Sequence, residues 1–396
     1  MPLHSTPHST GSSKGLRLTS YFRFTLIWFG LISCIEPISF KTSRPQAALV
    51  VDGFITTEPG PHTINLTRLS QFTGVMGIIP VENDAEVYIM DNEGIRTDLR
   101  QMNTIRKENF NEPAAGGGTP TLCNPRTLFF EVKTPGYLTP EGFRGEVGKT
   151  YTLFVRTSAG EEFVSTPQTI IPTPEIDSIS FEYERLPSSD PVTFESGVGV
   201  SVTWQDPVET ENFYSWQVNG IYRLETPDRP EICCVYDVFD GGSELCWIHE
   251  KDLPGNLVAL SDTRFNGSRD TRRVGFVLDD GLRFASQEVG GDRQYYVEVL
   301  QYGLSGEAFA FNRLLNSQLE IDGDIFDPPP ANIMGNMSRV GDPDELVLGF
   351  FGAYSVQTAS RFIKRSILEE IKPSTRPCGD CRTRRGARVE VPEPFR

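Results

Sequence analysis

The sequence is poor in histidine and lacks the common catalytic signatures. Its four histidines are His4, His8, His62 and His249, and none of them belongs to a His-Glu-x-x-His motif. The chain also has no Gly-x-Ser-x-Gly, no phosphate-binding loop with its lysine and no dinucleotide fingerprint. Asp322-Gly323-Asp324 is similar to part of a calcium loop but lacks the closing glutamate. We therefore predict no catalytic residue, no metal site and no cofactor.

Positive charge is scarce as well. The chain has 37 lysines and arginines against 53 aspartates and glutamates, a formal net charge of −16. Since nucleic acid binding requires a basic face, this balance excludes nucleic acid as a partner. The residues from Arg361 onward are the exception, with Arg382, Arg384, Arg385 and Arg388 close together. We expect a solvated tail here; the alternatives are contact with an acidic partner or with lipid headgroups.

The sequence contains no apolar run of the ~20 residues that a membrane-spanning helix requires. The run Phe24 to Ile32 covers nine residues and follows the cations Lys14, Arg17 and Arg23, with no acidic residue before it. A short apolar core behind a positive segment is typical of a secretion signal.

A cysteine follows this core. Leu31-Ile32-Ser33-Cys34 places a small residue directly before Cys34, which is the pattern of a bacterial lipoprotein signal. We predict that residues 1-33 are a lipoprotein signal peptide, that Cys34 is acylated, and that residues 34-46 tether the rest of the chain to a lipid bilayer. The alternatives are an ordinary cleaved signal and a single buried cysteine.

The remaining cysteines favour an oxidising compartment, because their number is even. Cys378-Gly379-Asp380-Cys381 has the spacing of a redox pair, but it follows Pro377 near the end of the chain and does not open a helix behind a strand. We expect a structural bridge or a link to the upstream cysteines, and zinc is the alternative. The candidates for disulfide bonding are Cys233, Cys234, Cys246, Cys378 and Cys381, and the sixth cysteine is Cys123.

Short β-branched segments separated by turn signals dominate the chain and predict a mainly β fold. We predict an immunoglobulin-like β-sandwich over residues 47-172 and a second, β-rich, sandwich-like domain with one packed helix over 173-371. The prolines of Ile171-Pro172-Thr173-Pro174 predict a stiff linker between them. Residues 372-396 form the Cys-x2-Cys and basic tail.

The second domain contains the candidate helix and the candidate contact surface. Ser305 is placed to cap a helix whose Ala308, Phe311, Leu315 and Leu319 form one apolar stripe. Aromatic residues adjacent on strands must in part face away from the core, where they bind sugars, peptides or a protein partner. The alternative is that the helix and the proline-rich segment after it cover this face. The residues assigned to a contact surface are Trp216, Tyr296, Asn336 in its Gly-Asn loop, and Phe351.

The order of motifs along the chain resembles one family, the Bacteroidetes outer-membrane lipoproteins that contain a domain of unknown function and are often encoded beside TonB-dependent receptors. The motifs that carry this resemblance are the cysteine at position 34, Leu49-Val50-Val51-Asp52-Gly53, Ala85-Glu86-Val87-Tyr88-Ile89, Gly148-Lys149-Thr150-Tyr151-Thr152-Leu153, Pro174-Glu175-Ile176-Asp177-Ser178, Leu304-Ser305-x-Glu307-Ala308-Phe309, Gly335-Asn336, Leu348-Gly349-Phe350-Phe351 and Cys378-x-x-Cys381.

The resemblance implies a lipid-anchored, non-enzymatic protein of the outer membrane that acts as an accessory or ligand-capturing partner of a TonB-dependent transporter in nutrient uptake. The family supplies no catalytic residues. Several acidic residues directly after the lipid-carrying cysteine would favour the cell surface. Ile35-Glu36-Pro37 contains only one, so the sequence leaves open whether the protein faces the periplasm or the cell surface. Two alternatives from other classes are a hydrolase of glycans or peptides that uses carboxylates, and a structural or adhesive envelope protein.

Overall fold

Buried and partly exposed side chains alternate along the strands of this protein. In the strand Phe213–Glu225, every second side chain is buried, among them Tyr214, Trp216 and Val218, while those between them are partly exposed.

A computed structural model describes residues 48–69, 81–102, 105–111, 127–133, 136–187, 193–208, 210–225, 245–253, 259–284, 295–319, 333–369 and 381–396, with the backbone alone for 105–111 and 127–133.

The described residues form strands, one α-helix and four short 3-10 helices, so the predicted mainly β fold is confirmed. The strands are β1 Leu49–Thr56, β2 Thr63–Arg68, β3 Glu86–Asp91, β4 Arg96–Asp98, β5 Arg100–Gln101, β6 Ile105–Asn111, β7 Thr127–Lys133, β8 Gly136–Leu138, β9 Thr150–Arg156, β10 Glu162–Ser165, β11 Gln168–Thr169, β12 Ile176–Pro187, β13 Phe194–Gln205, β14 Phe213–Glu225, β15 Leu245–Glu250, β16 Leu260–Ser261, β17 Arg269–Leu278, β18 Tyr295–Leu304, β19 Met337–Arg339, β20 Leu348–Ile363 and β21 Ala387–Arg388. Helix α1 is Gly306–Leu319, and the 3-10 helices are Asp262–Arg264, Arg365–Ile367, Cys381–Thr383 and Glu393–Phe395.

These strands form four sheets. The large sheet has the order β21-β15-β14-β18-β20-β1-β2-β8-β5, with β16 paired to β14. A second sheet has the order β19-β10-β9-β3-β4, with β11 paired to β9. The third sheet is β12-β13-β17 and the fourth is β6-β7.

One end of the large sheet packs against the second sheet and forms the first sandwich. Leu49 and Val51 of β1 meet Leu153 and Val155 of β9, and Phe351 of β20 lies in the same core. All five side chains are almost fully buried, because the inward positions of facing strands interdigitate between the layers.

The other end of the large sheet packs against the third sheet and forms the second sandwich. The alternation predicted for β13 is confirmed, since Val198, Val200, Val202 and Trp204 are all 0% exposed. Their partners across the core come from β14, β15, β18 and the end of β20.

Strand β20 belongs to both sandwiches. Its first half, from Leu348 to Tyr354, pairs in parallel with β1, and its second half, from Ser355 to Ile363, pairs antiparallel with β18. The predicted linker packs here: the Gln301 Nε2 donates to the Pro174 carbonyl at 2.8 Å. Gln46–Arg396 form one compact unit, and separate folding of 47-172 and 173-371 stays a prediction.

Helix α1 covers part of the large sheet on the face turned away from the sandwich cores. The predicted cap is present, since the Ala308 N–H donates to Ser305 Oγ at 3.1 Å. Phe311 stacks on Phe350 with ring centroids 5.0 Å apart. Leu315, which we expected on the packed stripe, is 39% exposed, because only the first turns of the helix lie on the sheet. The side chain of Leu319 lies outside the described residues.

Candidate functional site on the outer face of the large sheet

The outer face of the large sheet is the face opposite the two sandwich cores. Neighbouring side chains of a strand point to opposite faces. Ile55 and Ala353 lie in the core of the first sandwich. Their neighbours Phe54 and Tyr354 therefore point outward. This outward set places side chains of β1, β14, β18 and β20 on one surface.

Three aromatic rings form a patch on this face, which we call the aromatic patch: Phe54, Tyr302 and Tyr354. The Phe54 centroid lies 5.7 Å from that of Tyr302 and 5.3 Å from that of Tyr354. Gly352 pairs with Phe54 across the strands, and a Cβ there would collide with the Tyr354 ring, so the glycine lets that ring lie flat over its strand. Each tyrosine is 8% exposed and Phe54 is 39% exposed, so Phe54 is the most exposed ring of the patch.

A chain of hydrogen bonds leads from the aromatic patch across the face. The Tyr302 hydroxyl donates to Gln217 Oε1 at 2.9 Å, and Gln217 Nε2 donates to Asn219 Oδ1 at 3.1 Å. Asn219 Nδ2 in turn donates to Glu298 Oε2 at 3.3 Å, while the Asp252 N–H donates to Asn219 Oδ1 at 3.4 Å. This chain ties the Glu298 carboxylate and the backbone of Asp252 to the Tyr302 hydroxyl.

Four carboxylates lie close enough to Tyr302 or Tyr354 for their charges to act on these rings, and we call them the carboxylate rim: Asp52, Glu58, Asp252 and Glu298. Burial raises the pKa of Tyr302 above its usual value, and the negative charges of Asp252, Glu298 and Glu58 raise it further. Burial raises the pKa of Tyr354 in the same direction, with a smaller contribution from Asp52. Both phenols are therefore neutral hydrogen-bonding groups near pH 7.

No member of the carboxylate rim forms an ion pair within the part of the chain that the structure describes. The Asp52 carboxylate accepts one hydrogen bond, from Asn65 Nδ2 at 3.3 Å. Uncompensated negative charge beside an exposed aromatic ring suits a cationic group, which gains both an ion pair and a contact with the ring face.

The outer face is covered on both sides of this site. On one side Phe309 of α1 stacks on Phe213, with ring centroids 4.6 Å apart. On the other side Phe395 lies 4.3 Å from Trp247 and 6.3 Å from Tyr296, again between ring centroids. Along β18, the outward positions between these two covers are those of Tyr302, Leu300 and Glu298, so the site lies in the part of the face that neither α1 nor residues 381–396 cover.

Most of the chain matches one protein family. The chain matches the family described as Domain of unknown function (DUF4249) over residues 35–360. The chain belongs to the DUF4249 family. The comparisons found no match among curated proteins and none among solved structures. The DUF4249 match begins at the residue after Cys34 and ends within β20.

Two short motifs inside the DUF4249 match have a structural role. Gly335 lies so close to Gly349 that a Cβ on it would overlap the Gly349 carbonyl. Gly349 has φ +85°, and a Cβ on it would overlap the Val51 carbonyl in the same way. The Gly-Asn loop, the start of β20 and β1 therefore pack backbone against backbone, which only residues without a side chain allow.

Three of the four residues that we assigned to a contact surface are buried, so the prediction is wrong for Trp216, Asn336 and Phe351. Trp216 lies in the core of the second sandwich, where its Nε1 donates to Gln301 Oε1 at 2.9 Å. Phe351 is 0% exposed and Asn336 is 4% exposed. Adjacent aromatics on these strands do face opposite sides, but each side is covered.

Tyr296 does face outward, yet it is half-buried by the C-terminal residues. Its ring packs on Phe362, with centroids 5.2 Å apart, and on Phe395. The basic tail that we expected to be solvated is exposed at Arg382, Arg384, Arg385 and Arg388, while its backbone is attached to the sheet because β21 pairs with β15 and Phe395 contacts Trp247.

The structure joins two of the candidate cysteines. Cys246 and Cys381 form a disulfide whose Cα atoms lie 5.9 Å apart, and both residues are fully buried. Cys34, Cys233, Cys234 and Cys378 lie outside the described residues. The bond ties the C-terminal residues to β15.

Sequence reasoning missed the aromatic patch itself. Asp52, Phe54 and Thr56 occupy every second position of β1 and share its outward face. The available signal was therefore one aromatic residue between two polar ones on that face. Within the described ranges no group of three or more histidine, cysteine, aspartate or glutamate residues could hold a metal ion. None of the helices described is long and apolar enough to cross a membrane.

Proposed function

We propose that this chain is a lipid-anchored, non-enzymatic lipoprotein of the Bacteroidetes outer membrane, and that it acts as an accessory or ligand-capturing partner of a TonB-dependent transporter. The observation that carries the proposal is the position of Cys34. This cysteine follows the signal-like segment directly, and the DUF4249 match begins at the next residue. An acylated cysteine at this position would hold the family domain at a membrane surface.

The disulfide supports export. Cys246 and Cys381 are bonded although they are 135 residues apart in sequence. Disulfides persist in the periplasm and at the cell surface and are rare in the cytosol. This observation agrees with the signal sequence and is independent of it.

The aromatic patch and its carboxylate rim support a role in binding. Exposed Phe54 offers an apolar anchor, and the rim offers charges that pair with lysine or arginine of a partner. We assign the contact with the transporter to this face. The partner surface that fits it is cationic and carries an apolar or basic side chain opposite Phe54.

The anchor is tested by Cys34→Ser in a Bacteroidetes host. The wild type should fractionate with membranes and incorporate labelled palmitate, whereas the variant should do neither. Cys123→Ser, the same substitution at another cysteine, serves as the control and should remain in the membrane fraction. Membrane association of Cys34→Ser together with label incorporation would contradict the anchor.

The partnership is tested by co-purification from detergent extracts. The tagged wild type should bring down a TonB-dependent transporter, and Phe54→Ser combined with Asp252→Asn should weaken that association about tenfold or more, as loss of an aromatic anchor does in other interfaces. Asp252 has φ +53°, which asparagine tolerates, so the fold is kept. Phe194→Ser removes a phenylalanine that is 66% exposed elsewhere and should have no effect. Equal loss in both variants, or no transporter with the wild type, would count against the proposal.

A further inference from the structure

The C-terminal residues 381–396, here the C-terminal segment, differ in charge from the rest of the chain. They contain five arginines against two glutamates, in a chain whose formal net charge is −16. The DUF4249 match ends at residue 360, so this segment lies beyond it. Neither the family resemblance nor the proposed contact with a transporter accounts for these arginines.

The backbone of the C-terminal segment is fixed to the large sheet at three points. The disulfide joins Cys381 to Cys246, and Ala387 and Arg388 pair with β15. The His249 N–H donates to the Gly386 carbonyl at 2.9 Å, and Gly386 packs so closely on His249 that a Cβ there would collide with its carbonyl. The arginines therefore project from an ordered backbone, which loses little further conformational entropy when they bind.

Three of these arginines are exposed and uncompensated. Arg384, Arg385 and Arg388 are exposed, and none of them forms an ion pair with another residue that the structure describes. Burial lowers the pKa of His249, and the positive charges of Arg388 and Lys251 lower it further, so Lys251 extends the same positive field. The result is a local excess of positive charge at the edge of the sheet.

Exposed apolar side chains lie beside these cations. Val389, which follows Arg388 directly, is 63% exposed, and Val391, which is separated from Val389 by the exposed Glu390, is 40% exposed. Arginine binds phosphate oxygens through paired N–H groups. Free phosphate or a soluble polyanion provides no apolar contact for the valines. A lipid surface provides phosphates that bind the arginines and an apolar boundary that contacts the valines.

We propose that the C-terminal segment is a second membrane-contact surface, which binds the phosphate headgroups of an anionic lipid bilayer through Arg384, Arg385 and Arg388. The surface works without the acyl group at Cys34 and orients the protein when that anchor is present. Its failure would leave the proposed anchor and transporter partnership intact.

Vesicle co-sedimentation tests the proposal with the full chain carrying Cys34→Ser, so that no acyl group contributes. This protein should bind vesicles of phosphatidylcholine and phosphatidylglycerol, bind pure phosphatidylcholine far more weakly, and lose binding as salt is raised. Combining Arg384→Glu, Arg385→Glu and Arg388→Glu should weaken binding about a hundredfold or more, since each arginine near an anionic bilayer contributes roughly a fivefold factor. Replacing the same three residues by lysine should keep most of the binding.

The matched control reverses three other exposed arginines. Arg100→Glu, Arg144→Glu and Arg264→Glu change the net charge by the same amount at positions without an ion pair in the described structure, and should leave binding within about twofold of the parent. Equal loss in both reversed variants would mean that net charge alone acts, and would overturn the proposal. Retained binding after reversal of the three C-terminal arginines, or binding to heparin without binding to vesicles, would overturn it as well.

Discussion

Asn336 and Phe351 bind each other through two hydrogen bonds in the interior of the protein. The Phe351 N–H donates to Asn336 Oδ1 at 2.9 Å, and Asn336 Nδ2 donates to the Phe351 carbonyl at 2.8 Å. Phe351 also pairs with Gly53 of β1 on its other side. Strand β18 pairs with β20 only from Ser355 onward. The side-chain amide of Asn336 therefore forms the hydrogen bonds of the Phe351 backbone that a neighbouring strand would otherwise form.

Asn336→Ala should therefore destabilise the protein strongly. The substitution leaves the Phe351 N–H and carbonyl unpaired in a buried site, which should lower the free energy of unfolding by about 2 to 4 kcal/mol. Urea unfolding followed by tryptophan fluorescence measures this change. Asn65→Ala, which removes one bond of 3.3 Å on the surface, is the control and should cost less than about 0.5 kcal/mol. Equal effects of the two substitutions would contradict the role given to Asn336.

The contact between Gly349 and β1 predicts a contrast between two glycines. Gly349→Ala should lower the free energy of unfolding by more than about 3 kcal/mol, because its Cβ would overlap the Val51 backbone in addition to the strain of a positive φ. Gly94 has nearly the same φ, +81°, with nothing within 4 Å of an added Cβ, so Gly94→Ala should cost only about 1 kcal/mol. If the two variants unfold at the same urea concentration, the close approach of Gly349 to Val51 is not present.

The disulfide should contribute substantially to stability. Cys246 and Cys381 close a loop between residues 135 apart, and such a link stabilises a protein by about 3 to 5 kcal/mol, chiefly by restricting the unfolded chain. Reductant should lower the Tm of the wild type more than that of the variant carrying Cys246→Ala and Cys381→Ala. In the same variant, protease should cleave residues 382–396 more rapidly, since their main attachment is gone. A wild-type Tm that does not respond to reductant would contradict the link.

Sequence patterns predicted those parts of the fold that depend on neighbouring residues. The alternation of Val198, Val200 and Val202 indicated a strand with one buried face, and Ser305 was recognised as a helix cap; the structure has both. These signals are local, because a side chain two or three residues away supplies the partner.

The errors come from contacts between distant parts of the chain. Phe350 and Phe351 face opposite sides of β20, as their adjacency required, but helix α1 covers one side and the first sandwich core covers the other. The continuous apolar run at the start of β20 agrees with burial on both faces, and cover by the helix was the alternative that we named, but the run does not identify the second cover. The pairing of β1 with β20 joins opposite ends of the family domain, and it too has no signature in either segment alone.

The two described histidines predict how stability varies with pH. Burial lowers the pKa of His62 and of His249 below 6.5, so the unfolded chain binds protons more readily at these positions. Their contribution to stability is therefore present above the unfolded pKa and is lost as the pH falls through the lower folded values. Urea unfolding should show a falling midpoint between about pH 7 and about pH 5.

Replacing both histidines isolates this effect. His62→Gln combined with His249→Gln should flatten the dependence in that range, because glutamine does not titrate, while the fall at lower pH caused by carboxylates should remain. A dependence of unchanged slope in the double variant would show that other groups are responsible.

Photo-crosslinking from position 54 tests the central claim most directly. A photoreactive amino acid in place of Phe54, in the acylated full-length protein in its native membrane, should form a covalent product with a TonB-dependent transporter, and the same group in place of Phe194 should not. No such product from position 54, or equal amounts from both positions, would contradict the assignment of the aromatic patch as the contact with the transporter.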